Sequence, residues 1–145
     1  MSIDVERLWF DHIVWMREYI VAAVDERVDR AEVAARLLRT PADVGRAIEK
    51  ASGRKEGRRV AKALRQHVIM AIDLVDAACT ENTSRFREIE AVWDSTDENE
   101  AWHRHIPLLK TILKARMEEN FDRDADAFDE LLAMAPADAA QYAAA

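Results

Sequence analysis

Three histidines occupy positions that helical spacing turns inward. His12 lies between Leu8 and Trp15, His67 between Leu64 and Ala71, and His105 shortly before Pro107, in line with Leu108, Leu109 and Ile112. Neutral imidazole binds zinc, copper, iron or nickel, and three such ligands with an open position make a catalytic or sensing centre. A shared ion would bring the ligand nitrogens to about 3–3.5 Å of one another, and rings scattered beyond about 8 Å could share nothing. The plainer reading is that each histidine is a core residue bonded to its own carbonyl or carboxylate. On sequence grounds that reading comes first, with a shared site as its alternative.

A fourth histidine, His103, completes Glu100-Ala-Trp-His103, an E-x-x-H spacing that di-iron bundles use twice together with two further glutamates. Here it occurs once, inside the acidic stretch 97–100, and reads as a solvated coincidence. His103 is expected to be dispensable. A paired-histidine spacing on the first helix fails as well, since Met16 stands four residues beyond His12.

Arg17 falls in the stripe Phe10, Val14, Val21, and Asp73 among Ile69, Met70 and Ala77. Either charge buried alone is costly, so an Arg17–Asp73 ion pair between two helices is expected. The functional alternative is an arginine that grips a carboxylate or phosphate. Asp73 or Asp129 could orient the histidines from behind. Trp9, Trp15, Trp93 and Trp102 read as packing residues. Cys79, the single cysteine, excludes a disulfide framework and reads as inert. No P-loop, dinucleotide glycine fingerprint or G-x-S-x-G elbow is present. No catalytic residue is assigned.

These side chains need helices to hold them. The 145 residues fit one domain that can bury a core without cross-links. Three glycines and three prolines are too few for the turns of a β-sandwich or barrel. The spacing predicts an all-α antiparallel up-down bundle of four main helices with additional short or broken helices, spanning 1–136, and an alanine-rich tail over 137–145. The first helix, about Asp4 to Arg27, buries Trp9, Ile13, Met16 and Ile20 and leaves Asp4, Asp11, Glu18 and Asp25 wet. A second starts near Asp29 and restarts at Thr40-Pro41. Gly53 to Gly57 reads as a turn before a third helix, Arg58 to Ala78. Asn82-Thr83-Ser84 caps a fourth, burying Phe86, Ile89, Ala91 and Trp93. Pro107 opens another helix, and a last one after Asp122 stops at Pro136.

A net charge of −7 without a basic face argues against nucleic acid as a partner. The apolar run Val68 to Val75 is interrupted by Asp73 and is too short for a membrane span. The acidic start lacks the basic region of a signal peptide, so a cytoplasmic location is expected. A homo-oligomer, a small ligand or a histidine-bound divalent transition metal are the partners and cofactors left open.

The opening Leu8-Trp9-x-x-His12-x-x-Trp15-x-Arg17 resembles that of a family of small, uncharacterised prokaryotic helical proteins. Gln66-His67, Ala71 and Asp73-Leu74 resemble a second family segment, and His105-Ile106 followed by Phe121, Asp124 and Phe128-Asp129 a third. Phenylalanines replace the aromatics of that last segment, and Pro107 follows the histidine. The resemblance implies a helical bundle with an intracellular role, implies no activity, and singles out His12, His67 and His105. Two functional readings follow. One is a structural or interaction module with core histidines. The other is a metal- or small-ligand-binding bundle, with enzyme activity an open question, built on His12, His67 and His105.

Overall fold

The computed structural model describes residues 2–143, with the side chains of 5–142. Its elements are α1 (Ser2–Val24), α2 (Arg30–Leu37), α3 (Thr40–Ser52), α4 (Arg54–Cys79), α5 (Thr83–Asp94), a 3₁₀ turn (Ala101–His105), α6 (Ile106–Met117) and α7 (Phe121–Ala143). The fold is an all-α bundle, and the described residues contain no strand. None of its helices is long and apolar enough to cross a membrane.

The bundle is organised around α1, which touches α2, α3, α4, α6 and α7. The sequence explains this central place. Trp9, His12, Ile13, Met16 and Ile20 are buried along one broad face, with Tyr19, Ala22 and Ala23 widening it. Short joins turn α3 back on α4 and α6 back on α7, and both pairs pack as neighbours. The expected restart at Pro41 is present as the α2–α3 break, with the proline in the first turn of α3. Asn82 caps α5 by accepting from the Arg85 N–H at 3.1 Å.

Four expectations about the elements are corrected. The turn after α3 is shorter than Gly53 to Gly57: Gly53 alone, at φ +95°, makes it, and Gly57 lies inside α4. Ala91 faces solvent, because α5 contacts the bundle through Ile89 and Trp93. The first helix ends at Val24 rather than Arg27, and Arg27 folds back to pair with Glu18 and Asp29. Pro136 does not end the last helix; α7 runs through it to Ala143. A mid-helix proline forfeits the bond to the carbonyl four residues earlier. Here the ring faces solvent, and the following turns are held by other contacts: Asp138 and Tyr142 are buried, and the Ser52 hydroxyl donates to the Tyr142 carbonyl at 3.0 Å. Most of the expected tail is therefore part of the bundle, while 144–145 lie outside the described residues.

The α3–α4 crossing depends on two facing glycines. A Cβ added at Gly57 would sit 2.5 Å from the Gly45 carbonyl oxygen, and one at Gly45 would sit 2.6 Å from Ala61 Cβ. Backbone cannot yield to such contacts as a flexible side chain does. Gly57→Ala should therefore destabilise the protein by about 1–3 kcal/mol, the usual range for overpacking, although alanine in an exposed helix would gain up to about 1 kcal/mol. Urea unfolding of the variant at constant m-value measures this, and an unchanged or raised midpoint would contradict it.

Candidate functional site

The three inward histidines meet. His12 comes from α1, His67 from α4 and His105 from the 3₁₀ turn, and each is 1% exposed. The His12 ring centre lies 6.3 Å from that of His67 and 6.3 Å from that of His105. Trp9 stands 6.1 Å from both His12 and His105, and Trp93 5.1 Å from His67. Trp9, Trp102 and Tyr142 stack alongside, at 5.4–6.4 Å between ring centres. The rings are neither scattered nor bonded only to carbonyls, so the centre is one aromatic and imidazole cluster.

The hydrogen bonds determine which nitrogen of His12 and of His67 carries the proton. The Thr40 hydroxyl donates its only proton to the Leu37 carbonyl at 2.7 Å. It can therefore only accept from His12 Nδ1, 3.2 Å away, and this makes His12 the Nδ1–H tautomer with a lone pair on Nε2. Indole is a donor only, so Trp93 Nε1–H donates to His67 Nδ1 at 2.8 Å, which leaves the neutral ring's proton on Nε2. His105 Nε2 donates to Asp138 Oδ2 at 2.7 Å, and Asp138, itself 1% exposed, also accepts from Arg104 Nη2 at 2.7 Å. The opposite edges of the His12 and His67 rings face no partner among the described residues. His12 Nε2, His67 Nε2 and Trp9 Nε1 are buried without a hydrogen bond to the described residues.

Burial dominates the titration of the first two rings. It pulls His12 down to about 3, aided by the neighbouring His105 and opposed by Asp138. His67 is held well below its usual value by burial first, then by His12, His105 and His103. Both are neutral at physiological pH.

A cleft of about 320 Å³ opens above His67, walled by Arg59, Gln66, Thr96, Glu100 and Trp102. Glu100, read from sequence as solvated, is 7% exposed. It is shielded because the Tyr142 hydroxyl donates to one of its oxygens and Arg59 pairs with the other. Burial and that bond raise the Tyr142 pKa. His103 is half-buried beside Thr96, whose hydroxyl lies 3.3 Å from its Nδ1, and stays outside the centre.

The expected Arg17–Asp73 pair does not form. Arg17 makes a two-pronged contact with Asp124, at 2.7 and 3.3 Å, and lies over the Phe128 ring at 5.0 Å. The reason is helix placement: Arg17 reaches α7, which packs along α1 and presents Asp124 in its first turn, while Val14 of the same stripe is exposed. Arg116 of α6 adds a second contact to that 1%-exposed carboxylate at 3.3 Å. Asp73 is half-buried on α4 and makes no ion pair among the described residues. Asp129 is exposed and cannot orient a histidine; Asp138 does so for His105.

Sequence reasoning missed Asp138, Thr40 and Trp93 as partners of the histidines. A signal existed for Asp138: Asp124, Ala127, Leu131, Ala135, Asp138 and Tyr142 follow one another at three- and four-residue steps, a stripe that continues past Pro136. Thr40 reads as a helix start, and nothing local marks Trp93 as a donor.

The donor set does not fit a tris-imidazole metal centre. A metal would need the Nε2 lone pair of His67, where the Trp93 bond places a proton. Among the described residues no three histidine, cysteine or carboxylate side chains are arranged to hold one ion. Compared with protein-family profiles, curated proteins and solved structures, the chain matches none.

The neutral histidines tie stability to pH, with a definite sign. Their folded pKa values lie below the unfolded value near 6.5, so the unfolded chain gains protons first as pH falls. The stabilisation is complete above about pH 6.5 and drains by about 1.4 kcal/mol per pH unit for each ring below it, continuing toward pH 3 for His12. Chemical unfolding between pH 7.5 and 4.5 should show this slope, and His67→Phe should flatten part of it. A wild-type stability that is level across that range would refute the neutral assignment.

Proposed function

We propose that this bundle binds a small organic molecule at its histidine centre and is not a metalloprotein. The observation that carries this reading is a pair of buried ring nitrogens, His12 Nε2 and His67 Nε2, that lack a partner among the described residues, on rings whose centres lie 6.3 Å apart. Leaving a buried polar atom unpaired costs about 1–3 kcal/mol, and folded proteins seldom bear that cost twice in one place. A polar guest that bonds to both recovers it. The cleft bordered by His67 lies at the small end of ligand pockets, which start near 300 Å³.

A second reading, a structural or interaction module, has its own support. The other edge of each ring is bonded into the fold, tying α1 to Thr40 of α3, α4 to Trp93 of α5, and the 3₁₀ turn to α7. In that reading the rings cross-link helices and the guest is ordinary buried water. Neither reading needs nucleic acid, consistent with the net charge of −7. The single cysteine fits a reducing, cytoplasmic setting.

Ring-nitrogen NMR on histidine-labelled protein tests the proposal. Wild type should show His12 as the Nδ1–H and His67 as the Nε2–H tautomer, and zinc should move neither ring. Members of a library of small polar fragments should move both. Stoichiometric zinc binding at the two rings, or a library that leaves both unmoved, would overturn the reading. Trp93→Phe removes the donor that holds the His67 tautomer, and zinc uptake at the centre should appear in that variant alone.

A further inference from the structure

A second cleft, of about 600 Å³, opens where α4, α5 and α6 approach one another. Its origin lies in the packing of the helices. α5 lies against α4, while α6 packs on α1 and α7, so neither fills the space between them. Ala78 of α4, Phe86 of α5, and Leu113 and Met117 of α6 give the cleft an apolar lining. Leu113 is 4% exposed, whereas Met117, one turn further along the same stripe, is 46% exposed. Methionine is long and flexible enough to fill an adjoining gap, and here the gap stays open.

The walls are braced apart. Lys110 of α6 reaches across to α5 and pairs with Asp94 at 2.8 Å and Glu90 at 3.1 Å, which fixes the spacing of the two helices beside the cleft. The cleft is therefore preformed, as ligand pockets usually are, and its volume falls within their range of about 300–1,000 Å³.

Charge sets the ligand class. Lys110 already serves two carboxylates, and Lys114 stands beside Glu118 at 4.0 Å. Within the lining, Lys110 and Lys114 are balanced by Glu90 and Glu118. An ionic head group would come beside apolar walls with no free countercharge. Lys114, its side chain 76% exposed, adds little there, because water screens such pairs. Size sets the partner class. A stable protein interface takes about 20–30 residues a side, whereas four apolar residues suit a single hydrocarbon chain or ring.

We propose that the α5–α6 cleft is a binding site, separate from the histidine centre, for an uncharged and mainly hydrocarbon molecule such as a medium-chain alcohol. The chain lies along Phe86, Leu113 and Met117 over Ala78, and its hydroxyl stays at the charged rim.

Three probes of equal chain length test this on the wild-type protein at pH 7.5: 1-octanol, octanoate and octyltrimethylammonium, read by NMR of methionine methyl groups. Octanol should shift the Met117 methyl saturably and leave the buried Met16 and the Met70 of the other cleft in place. Both ions should bind at least about tenfold more weakly, since each must carry a charge to apolar walls without a partner. Ala78→Phe fills the cleft and should weaken octanol at least about tenfold with Tm retained; if that variant unfolds, Phe86→Gln, which removes an apolar wall, should do the same. An unmoved Met117, equal shifts at all three methionines, or octanoate or the ammonium binding as well as octanol would overturn the site or its ligand class. So would wild-type affinity in both variants. A doubled mass in sedimentation, with Met117 shifting as the protein is concentrated without ligand, would assign the cleft to a second copy of the chain instead. The histidine ring nitrogens report separately, so each of these failures leaves the reading of the histidine centre standing.

Discussion

Three imidazoles packed into one apolar core, with Asp138 the carboxylate bonded among them, constrain everything around them. Burial strips an imidazolium of its hydration, and neighbouring rings add repulsion in a medium that screens poorly, so His12 and His67 are neutral. A neutral imidazole is half donor and half acceptor, and which half faces inward depends on what grips the other edge. The surrounding helices supply those grips. Thr40 and Trp93 come from segments whose own geometry must be exact enough to place a hydroxyl and an indole at hydrogen-bond distance.

The architecture follows from that requirement. Placing α1 at the centre puts His12 within reach of elements on several sides. The 3₁₀ turn and the start of α6 put Trp102 and His105 on consecutive inward positions, and α7 must then continue past Pro136 to bring Asp138 and Tyr142 opposite them. At the other end of α7, Asp124 with Arg17 and Arg116 joins three helices through one buried carboxylate. The two acids divide the labour along one helix. Asp124 fixes where α7 begins against α1 and α6, and Asp138 fixes how its far end meets the histidine centre.

Much of this was legible in the residues. Helical spacing alone places His12, His67 and His105 on inner faces, and the shortage of turn residues points to helices throughout. That the three rings would meet was not legible, because periodicity ranks faces and says nothing about which faces adjoin. The same gap explains the Arg17 pairing: an inward arginine needs an acid, and the one within its reach is Asp124 of α7, not Asp73 of α4. Pro136 misled for a different reason. Local propensity predicts a stop, and tertiary contacts from Asp138, Tyr142 and Ser52 override it. Glu100 looked wet because its neighbours in sequence are acidic, while its partners, Arg59 and Tyr142, lie about forty positions away on either side.

Direction of hydrogen bonding, more than the presence of histidine, determines what such a centre can hold. Three inward imidazoles suggest a metal only if each offers a lone pair. Indole cannot accept, so one Trp93 contact commits His67 to offering a proton instead. A carbonyl or carboxylate in the place of Trp93 would reverse the ring and turn the same histidine into a ligand. Whether His67 can offer a lone pair at its free nitrogen thus rests on one buried donor on α5, a helix that contributes little else to the core beyond Ile89. Thr40 shows the same logic in the opposite sense. By donating to Leu37 it is left able only to accept, so His12 keeps its lone pair directed inward. One ring is thus committed to donate at its free nitrogen and its neighbour to accept.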